Sequence, residues 1–559
     1  MKPLYEVRPI TDLRDMIRQS IARRGDNTAF LVKVKGNDDY VPVSYQKLGE
    51  DMDGFGTQLL RMGLGGKRIA VIGENRYEWA VTYLSVVNGV GVIVPIDREL
   101  PATEVEELLR QANAEAVVFS KKYSDSISEM SSRLPKLQTL ICMDDESEDG
   151  FWPLVDEGRR AVQAGDHSYQ EASIDPECMS ILLFTSGTMS VAKGVMLSHK
   201  NIVTNLMNMC KQIDITIDDV FLSVLPLHHT YECTCGFLCP LYRGAAIAYC
   251  EGLRYVQKNM VQAKASVILG VPLLFENMYK RVMAQARKAG LGRKMQFAIR
   301  INSFTKRVRL DLSKKLFRAV HDSFGGRMRL MISGAAAIDP EVAKGFRDLG
   351  ILFLQGYGLT ECAPIVGVNR DCNFRDDSAG MLLANMEIRI DSPNADGVGE
   401  IVVRGDNVML GYYQNPEATA AVLEDGWFRT GDLGYYDDQK FIFITGRKKS
   451  MILTNNGKNV YPEEIEGYLN KYDQVLESFV YGRENEKSGE TEICAEIVPD
   501  FEYFGEANDD AILKEIESVV REVNGFVPIF KKIHKVHIRK EEFEKTTTKK
   551  IKRYKVDTK

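Results

Sequence analysis

Residues 181–194, ILLFTSGTMSVAKG, run from an apolar strand into Thr185-Ser186-Gly187-Thr188 and on to Lys193-Gly194. Ile181 to Phe184 has the composition of a strand buried on both faces, as in a parallel sheet covered by helices. The next four residues hold three hydroxyls and a glycine. Backbone N–H groups and hydroxyls can therefore close on phosphate oxygens, and the lysine supplies positive charge. The segment is a candidate phosphate cradle; an ordinary Ser/Gly turn after a strand is the alternative. It is not a Walker loop, because Lys193 stands between Ala192 and Gly194. The other Gly-Lys candidate, Gly66-Lys67, is followed by Arg68.

Outward from this stretch the chain alternates strand-like and helical runs. Ile69–Ile72, Val92–Val94 and Ala116–Phe119 are separated by helical segments, and the rhythm returns in Phe221–Leu225, Ala245–Ala248, Val267–Leu269 and Leu330–Ile332. Such alternation predicts βαβ units and an α/β fold with two parallel layers. From about 386 to 446 short strands with turn residues predict a small β subdomain: Met386–Ile390, Gly399–Val403 and Phe441–Ile444. The last stretch mixes helices at Glu463–Leu469 and Ile512–Val523 with β-rich runs, a separate small α+β domain. The expected boundary lies at 446/447, giving a large N-terminal domain, 1–446, and a mobile lid, 447–559.

Bulk properties agree with a large globular protein. The 559 residues are 44% hydrophobic and 27% charged, with 72 basic against 78 acidic side chains and a net charge of −6. No global positive field recruits nucleic acid. The ten cysteines run from Cys142 to Cys494 without regular spacing, which reads as reduced thiols in a cytoplasmic protein. The longest apolar stretch, about 79–96, is broken by polar residues, glycines and Pro95, and predicts a helix then a strand. No transmembrane segment is expected, and peripheral membrane contact stays open.

Two further segments carry chemistry. Gln355-Gly356-Tyr357-Gly358-Leu359-Thr360-Glu361 sets a ring between two glycines with a carboxylate beyond, suited to stacking on a base and holding Mg²⁺ beside phosphates; a turn with a capping acid is the alternative. Gly426 to Gly434, GWFRTGDLG, fixes Asp432 where its two oxygens could accept from a ribose diol, or simply form an Asx turn.

In this order, and joined by Gly446-Arg447-Lys448-Lys449 and Lys545-Thr546-Thr547-Thr548-Lys549-Lys550-Ile551, these motifs resemble the adenylate-forming superfamily of acyl-CoA synthetases, luciferases and peptide-synthetase adenylation domains. Pro226-Leu227-His228-His229-Thr230-Tyr231-Glu232 resembles its bacterial long-chain fatty acyl-CoA synthetase branch. The resemblance implies roles. Thr185, Ser186, Gly187, Thr188 and Lys193 would hold the β,γ-phosphates of ATP; Glu361, with Thr188, would hold Mg²⁺. Ser333, Gly334, Ala335, Gly356, Tyr357, Gly358 and Thr360 would wall the adenine and its approach. Asp432 and Arg447 would contact the ribose and Lys449 would be the hinge. Lys550 would bridge the carboxylate and the α-phosphate, and His229 would line the acyl and thiol channels.

The implied reaction is activation of a fatty acid to acyl-AMP and transfer to coenzyme A. An acyl carrier protein is the alternative acceptor, and a non-catalytic nucleotide- or acyl-binding regulator is the alternative of another class. The loop departs from the family pattern at Met189, Ser190 and Ala192, and Lys549 replaces the usual glycine before Lys550. Thr230 stands where amino-acid-activating relatives carry an aspartate, which disfavours amino acids. Cys233, Cys235 and Cys239 read as wall residues rather than a zinc site. The basic terminus, seven Lys or Arg in 545–559, reads as a solvated tail.

Overall fold

The computed structural model describes residues 3–34, 36–185, 192–290, 292–307, 312–454, 458–485, 491–546 and 550–556. Contacts group the chain into two units, one of residues 1–387, 404–428 and 439–441, the other of 388–403, 429–438 and 442–559.

The first unit contains two large sheets. One has seven strands in the order Gly411–Tyr412, Lys193–Ser198, Met179–Thr185, Val92–Pro95, Arg68–Ile72, Ala116–Phe119 and Thr139–Cys142. Its last five run parallel, and the first two join antiparallel at one edge. The other has nine strands, with Leu352–Gly358, Leu330–Ser333, Val267–Gly270, Val220–Ser223, Ala246–Tyr249 and Thr28–Lys33 parallel in that order. Two parallel α/β layers are what the alternating pattern predicts.

The sequence explains why these strands are central. Ala116–Phe119, Ala246–Tyr249 and Val267–Gly270 are buried at every position, so both faces are apolar and no alternation appears. Helices then cover both faces, with Leu108, Leu109 and Ala112 packing near Val117 and Phe119 on one sheet, and Phe275, Phe346 and Met260 near Ile268 and Phe353 on the other. Helix starts are capped where the sequence offers a cap: Ser198 and Asn201 form a reciprocal capping box, and Asp339 caps the helix opening at Pro340.

One expectation needs correction, and one strand was not expected. Phe221–Leu225 ends as a strand at Ser223, because the Leu225 carbonyl accepts from the Asn75 amide instead of continuing the ladder. Thr28–Lys33 was outside the alternating pattern, yet it extends the nine-stranded sheet beside Ala246–Tyr249. Only tertiary pairing places that strand.

In the second unit residues 399–403, 429–436 and 442–447, parts of the strands Gly399–Arg404 and Trp427–Tyr436 and the whole of Ile442–Arg447, belong to one sheet. Further along, Val475–Glu484 pairs antiparallel with Thr491–Pro499, which pairs parallel with Ile533–Ile538. The helices Pro462–Leu469 and Asp509–Phe526 close a core of Ile465, Leu469, Val480, Ile497, Ile516 and Val523. Among the described residues no helix is long and apolar enough to cross a membrane.

Candidate functional site

In parallel sheets ligands bind beyond the carboxyl ends of the strands. The predicted residues of the first unit stand at such ends. Thr185 and Ser333 are the last residues of their strands, and Gly356, Tyr357 and Gly358 finish a third.

Thr185 pairs across the antiparallel ladder with Lys193, and its hydroxyl donates to the Lys193 carbonyl at 3.4 Å. The two ends of the predicted cradle are thus pinned together. Ser186, Gly187 and Thr188, with the atypical Met189 and Ser190, lie outside the described residues.

Lys193 and Glu361 are joined through a residue that sequence reasoning missed. The Lys193 ammonium lies 4.5 Å from the centre of the Tyr412 ring, and the Tyr412 hydroxyl donates to Glu361 Oε1 at 2.9 Å. Burial, and then the Glu361 charge, push the phenol far above its usual range, so it stays a donor. Tyr412 gets there because the two-residue strand Gly411–Tyr412 pairs with Met196 and Val195. Nothing in the local pattern marks so short a strand; the only signal is a tyrosine pair after a glycine.

The turn carrying Glu361 is tight. Gly358 lies against the Pro364 carbonyl, where a Cβ would sit 2.2 Å from the oxygen. Beyond it, the backbone carbonyl of Glu361 accepts from the Met409 N–H at 2.8 Å. The Thr360 hydroxyl is 3.4 Å from that of Thr230, which links this turn to the histidine-rich segment.

On that segment Tyr231 donates to the Ile332 carbonyl at 3.0 Å, and its ring fills the space beside Gly334, where a Cβ would come within 2.9 Å of it. Ser333, Gly334 and Ala335 form the predicted wall; Ala335 takes a left-handed φ of 72° as the chain leaves the sheet. The Ser333 hydroxyl is buried without a hydrogen-bond partner. His228 and His229 have ring centres 4.1 Å apart, and His228 Nε2 is 3.5 Å from Asp97 Oδ2. Burial alone would raise the Asp97 carboxyl, but the His228 ring outweighs it and holds the group at about 2. His229 is half-buried.

Next to them, Glu232 is fully buried, with neither carboxylate oxygen hydrogen-bonded. Burial pushes it up to about 8, with Ser223 pulling weakly the other way. Cys233, Cys235 and Cys239 are buried thiols of raised pKa, as wall residues would be.

The second unit brings together the other predicted group. Asp432 pairs in register with Arg447, whose Nε is 2.7 Å from Asp432 Oδ1. Asp432 is 3% exposed, and its backbone N–H donates to the Thr430 hydroxyl. Lys550 stands on a hairpin in which Lys545 bridges to Ile551 and Thr546 and Lys550 exchange two hydrogen bonds. Lys550 retains exposed surface, yet its ammonium end is held below the usual lysine range. Burial is the first cause and Arg447 the second, opposed by Asp432 and Glu463. Lys449 is exposed in the turn after Arg447, and Lys549 lies outside the described residues.

Comparison with known proteins shows the family. Residues 17–413 match the AMP-binding enzyme family and residues 449–559 match the AMP-binding enzyme C-terminal domain. The chain therefore belongs to the adenylate-forming family of AMP-binding enzymes, and it is an AMP-forming acid–thiol ligase of the acyl-CoA synthetase kind.

It is 28% identical over 519 residues to a long-chain-fatty-acid–CoA ligase of Escherichia coli O157:H7, covering 86% of this chain and 84% of that one. It is 30% identical over 450 residues to a 3-[(3aS,4S,7aS)-7a-methyl-1,5-dioxo-octahydro-1H-inden-4-yl]propanoyl:CoA ligase of Rhodococcus jostii, covering 76% and 78%. The ATP-bound crystal structure of MatB from Rhodopseudomonas palustris is similar at 25% identity with a TM-score of 0.75, covering 97% of each chain.

Proposed function

We propose that the acid is a medium- to long-chain fatty acid and the acceptor is coenzyme A. In the first step a carboxylate oxygen attacks the α-phosphorus of ATP and the bond to pyrophosphate breaks, giving acyl-AMP. In the second the thiol sulfur of coenzyme A attacks the acyl carbon, the thiol proton is lost and AMP leaves. A carboxylate and a triphosphate are both anions, so the first step needs cations aimed at the developing charge.

The observation that carries this reading is the Lys550 cluster. Lys550, an exposed residue, feels the Arg447 guanidinium and the Asp432 carboxylate, and two cations so grouped are complemented by an anion, which a nucleotide phosphate with a substrate carboxylate supplies. In this proposal Lys550 bridges those two groups, Asp432 accepts from the ribose hydroxyls beside Arg447, and Lys449 is the hinge of a C-terminal domain beginning at 447. Thr185, Ser186, Gly187, Thr188 and Lys193 take the β,γ-phosphates, and Tyr357, with Ser333 to Ala335, Gly356, Gly358 and Thr360, walls the adenine. His229 lines the channel.

Glu361 suits Mg²⁺. Its Oε1 is held by a neutral phenol, and among the described residues no cation pairs with it, because Lys193 lies over the Tyr412 ring instead. Glu361 with Thr188 would hold the ion, which when bound neutralises phosphate charge.

The fatty-acid assignment is supported by the long-chain relatives; the Rhodococcus relative acts on a fused-ring propanoate by its name, so the acid is the part to test. The ten cysteines, all free thiols, support a cytoplasmic location.

The test is pyrophosphate release with ATP and Mg²⁺ across acetate, octanoate, palmitate, an aryl acid and amino acids, each with and without coenzyme A. Formation of an acyl-CoA from octanoate or palmitate is the expected result. Preference for the aryl acid refutes the fatty-acid assignment, product only with an acyl carrier protein refutes the acceptor, and no release with any acid favours a non-catalytic binder.

A further inference from the structure

Asp97, His228 and His229 converge although they come from different sheets. Asp97 lies two residues past the strand Val92–Pro95 of the seven-stranded sheet, and the two histidines lie beyond the strand Val220–Ser223 of the nine-stranded sheet. One donor atom from each, a carboxylate oxygen and a ring nitrogen per histidine, falls within 4.8 Å of the other two. Among the described residues no other three His, Cys, Asp or Glu side chains meet in this way.

One oxygen with two imidazole nitrogens is a donor set for a borderline divalent cation. Zn²⁺ takes such donors at about 2.0–2.2 Å in a tetrahedron, which sets them about 3.4 Å apart. Asp97 Oδ2 and His228 Nε2 are 3.5 Å apart. That is too long for a good N–H···O hydrogen bond. Indeed His228 Nε2 is buried without a hydrogen-bond partner, on a side chain only 8% exposed. A metal ion between the two would satisfy a nitrogen that the carboxylate leaves unmet. Mg²⁺ fits poorly, because it prefers oxygen ligands in an octahedron.

The surroundings hold the donors in place. The Glu99 N–H donates to Asp97 Oδ1 at 2.9 Å, which leaves Oδ2 facing His228. Asn75, just past the strand Arg68–Ile72, accepts from the Leu227 N–H at 3.2 Å and donates to the Leu225 carbonyl at 2.7 Å, fastening the chain that leads into the histidines. The His229 N–H then closes a turn on the Pro226 carbonyl at 3.1 Å. Outer partners of this kind orient metal ligands. The Asp97 side chain is 18% exposed and His229 is half-buried, which leaves an ion a way in and a fourth position for solvent.

We propose that Asp97, His228 and His229 form a Zn²⁺ site that inhibits the enzyme, the metal holding His229 out of the channel. The site goes beyond the ligase reading; only its inhibitory effect rests on that reading, through His229.

The test is a Co²⁺ titration of the full-length protein, first cleared of metal with a chelator, followed by visible spectroscopy and by displacement with Zn²⁺. One equivalent with ligand-field bands and no thiolate-to-metal charge transfer is expected, undisturbed by excess Mg²⁺. Replacing even an outer partner costs about 10–100-fold in metal affinity, so Asp97→Asn and His228→Ala, which each remove a ligand, should bind at least about a hundredfold more weakly. Asparagine keeps an oxygen for the Glu99 N–H, and an unchanged unfolding midpoint checks that the fold persists. Zn²⁺ should inhibit pyrophosphate release in excess Mg²⁺, and the Asp97→Asn variant should need at least about a hundredfold more of it. No Co²⁺ binding, a thiolate band, or full affinity in both variants would each overturn the site, and binding without inhibition would overturn the inhibitory role. The spectroscopic arm needs no turnover, so failure of the ligase reading and failure of the metal site are read separately.

Discussion

Replacing Tyr412 by phenylalanine deletes one oxygen and keeps the ring, which makes it the sharpest probe of the Lys193–Tyr412–Glu361 connection. The deleted contact is a 2.9 Å hydrogen bond to a carboxylate. Bonds to charged groups contribute about 1.5–3 kcal/mol. Glu361 is only half-buried, so water can partly replace the phenol and the lower end applies. That predicts about a tenfold loss in kcat/KM for ATP, since about 1.4 kcal/mol is tenfold in rate. The ring under Lys193 survives in the phenylalanine variant. Tyr412→Leu removes it as well and should lose roughly a further two- to fivefold, the range expected for a cation–π contact of about 0.5–1 kcal/mol. The assay is pyrophosphate release against ATP concentration, with a parallel Mg²⁺ titration in which the phenylalanine variant needs more metal. An unchanged kcat/KM and Mg²⁺ requirement would refute the connection. So would a loss that simply follows a fall in unfolding midpoint.

Lys550→Ala should cost about 10²- to 10³-fold in acyl-AMP formation, the usual loss for one preorganised charge-stabilising contact, while thioester formation from supplied acyl-AMP persists; equal loss in both half-reactions sinks this role. Gly358→Ala forces a Cβ to 2.2 Å from the Pro364 carbonyl, so the turn bearing Glu361 must shift, and activity should fall with little change in urea-unfolding slope. Glu232→Gln tests buried charge. With the folded carboxyl at about 8 against an ordinary value of 4.5, the unfolded chain ionises first, so wild-type stability falls as pH rises between these values. The glutamine variant should be the more stable by roughly 3 kcal/mol near neutrality, with the gap closing toward about pH 5; urea unfolding at several pH values measures it, and a pH-independent gap refutes the assignment.

Much of the architecture was legible because parallel strands buried on both faces leave apolar runs that no surface element shares. Ala116–Phe119 and Val267–Leu269 stand out in the chain for that reason, and the helix at Glu463–Leu469 is found within one residue of its expected start. Candidate site residues stood out where the chemistry proposed for them demands a fixed local order, as in Thr185 to Lys193 or Gly356 to Glu361. Tyr412 did not, because its position depends on pairing with Val195, and distant pairing leaves no periodicity. Thr28–Lys33 was missed for the same reason. Asp432 and Arg447 were named together only as ribose contacts implied by the family resemblance; that they pair with each other was not expected, and its physical basis is their opposition across an antiparallel ladder.

That late edge strand has a consequence during synthesis. Lys193–Ser198 leaves the ribosome long before Gly411 and Tyr412, the residues that cover its outer edge. Until they arrive, the nascent chain presents an unpaired outer edge on that strand, open to pairing with another copy, and its lysine has no Tyr412 ring beside it. Completion of the seven-stranded sheet and assembly of the Lys193–Tyr412–Glu361 trio are therefore one event, so truncated or stalled chains should be aggregation-prone and inactive together.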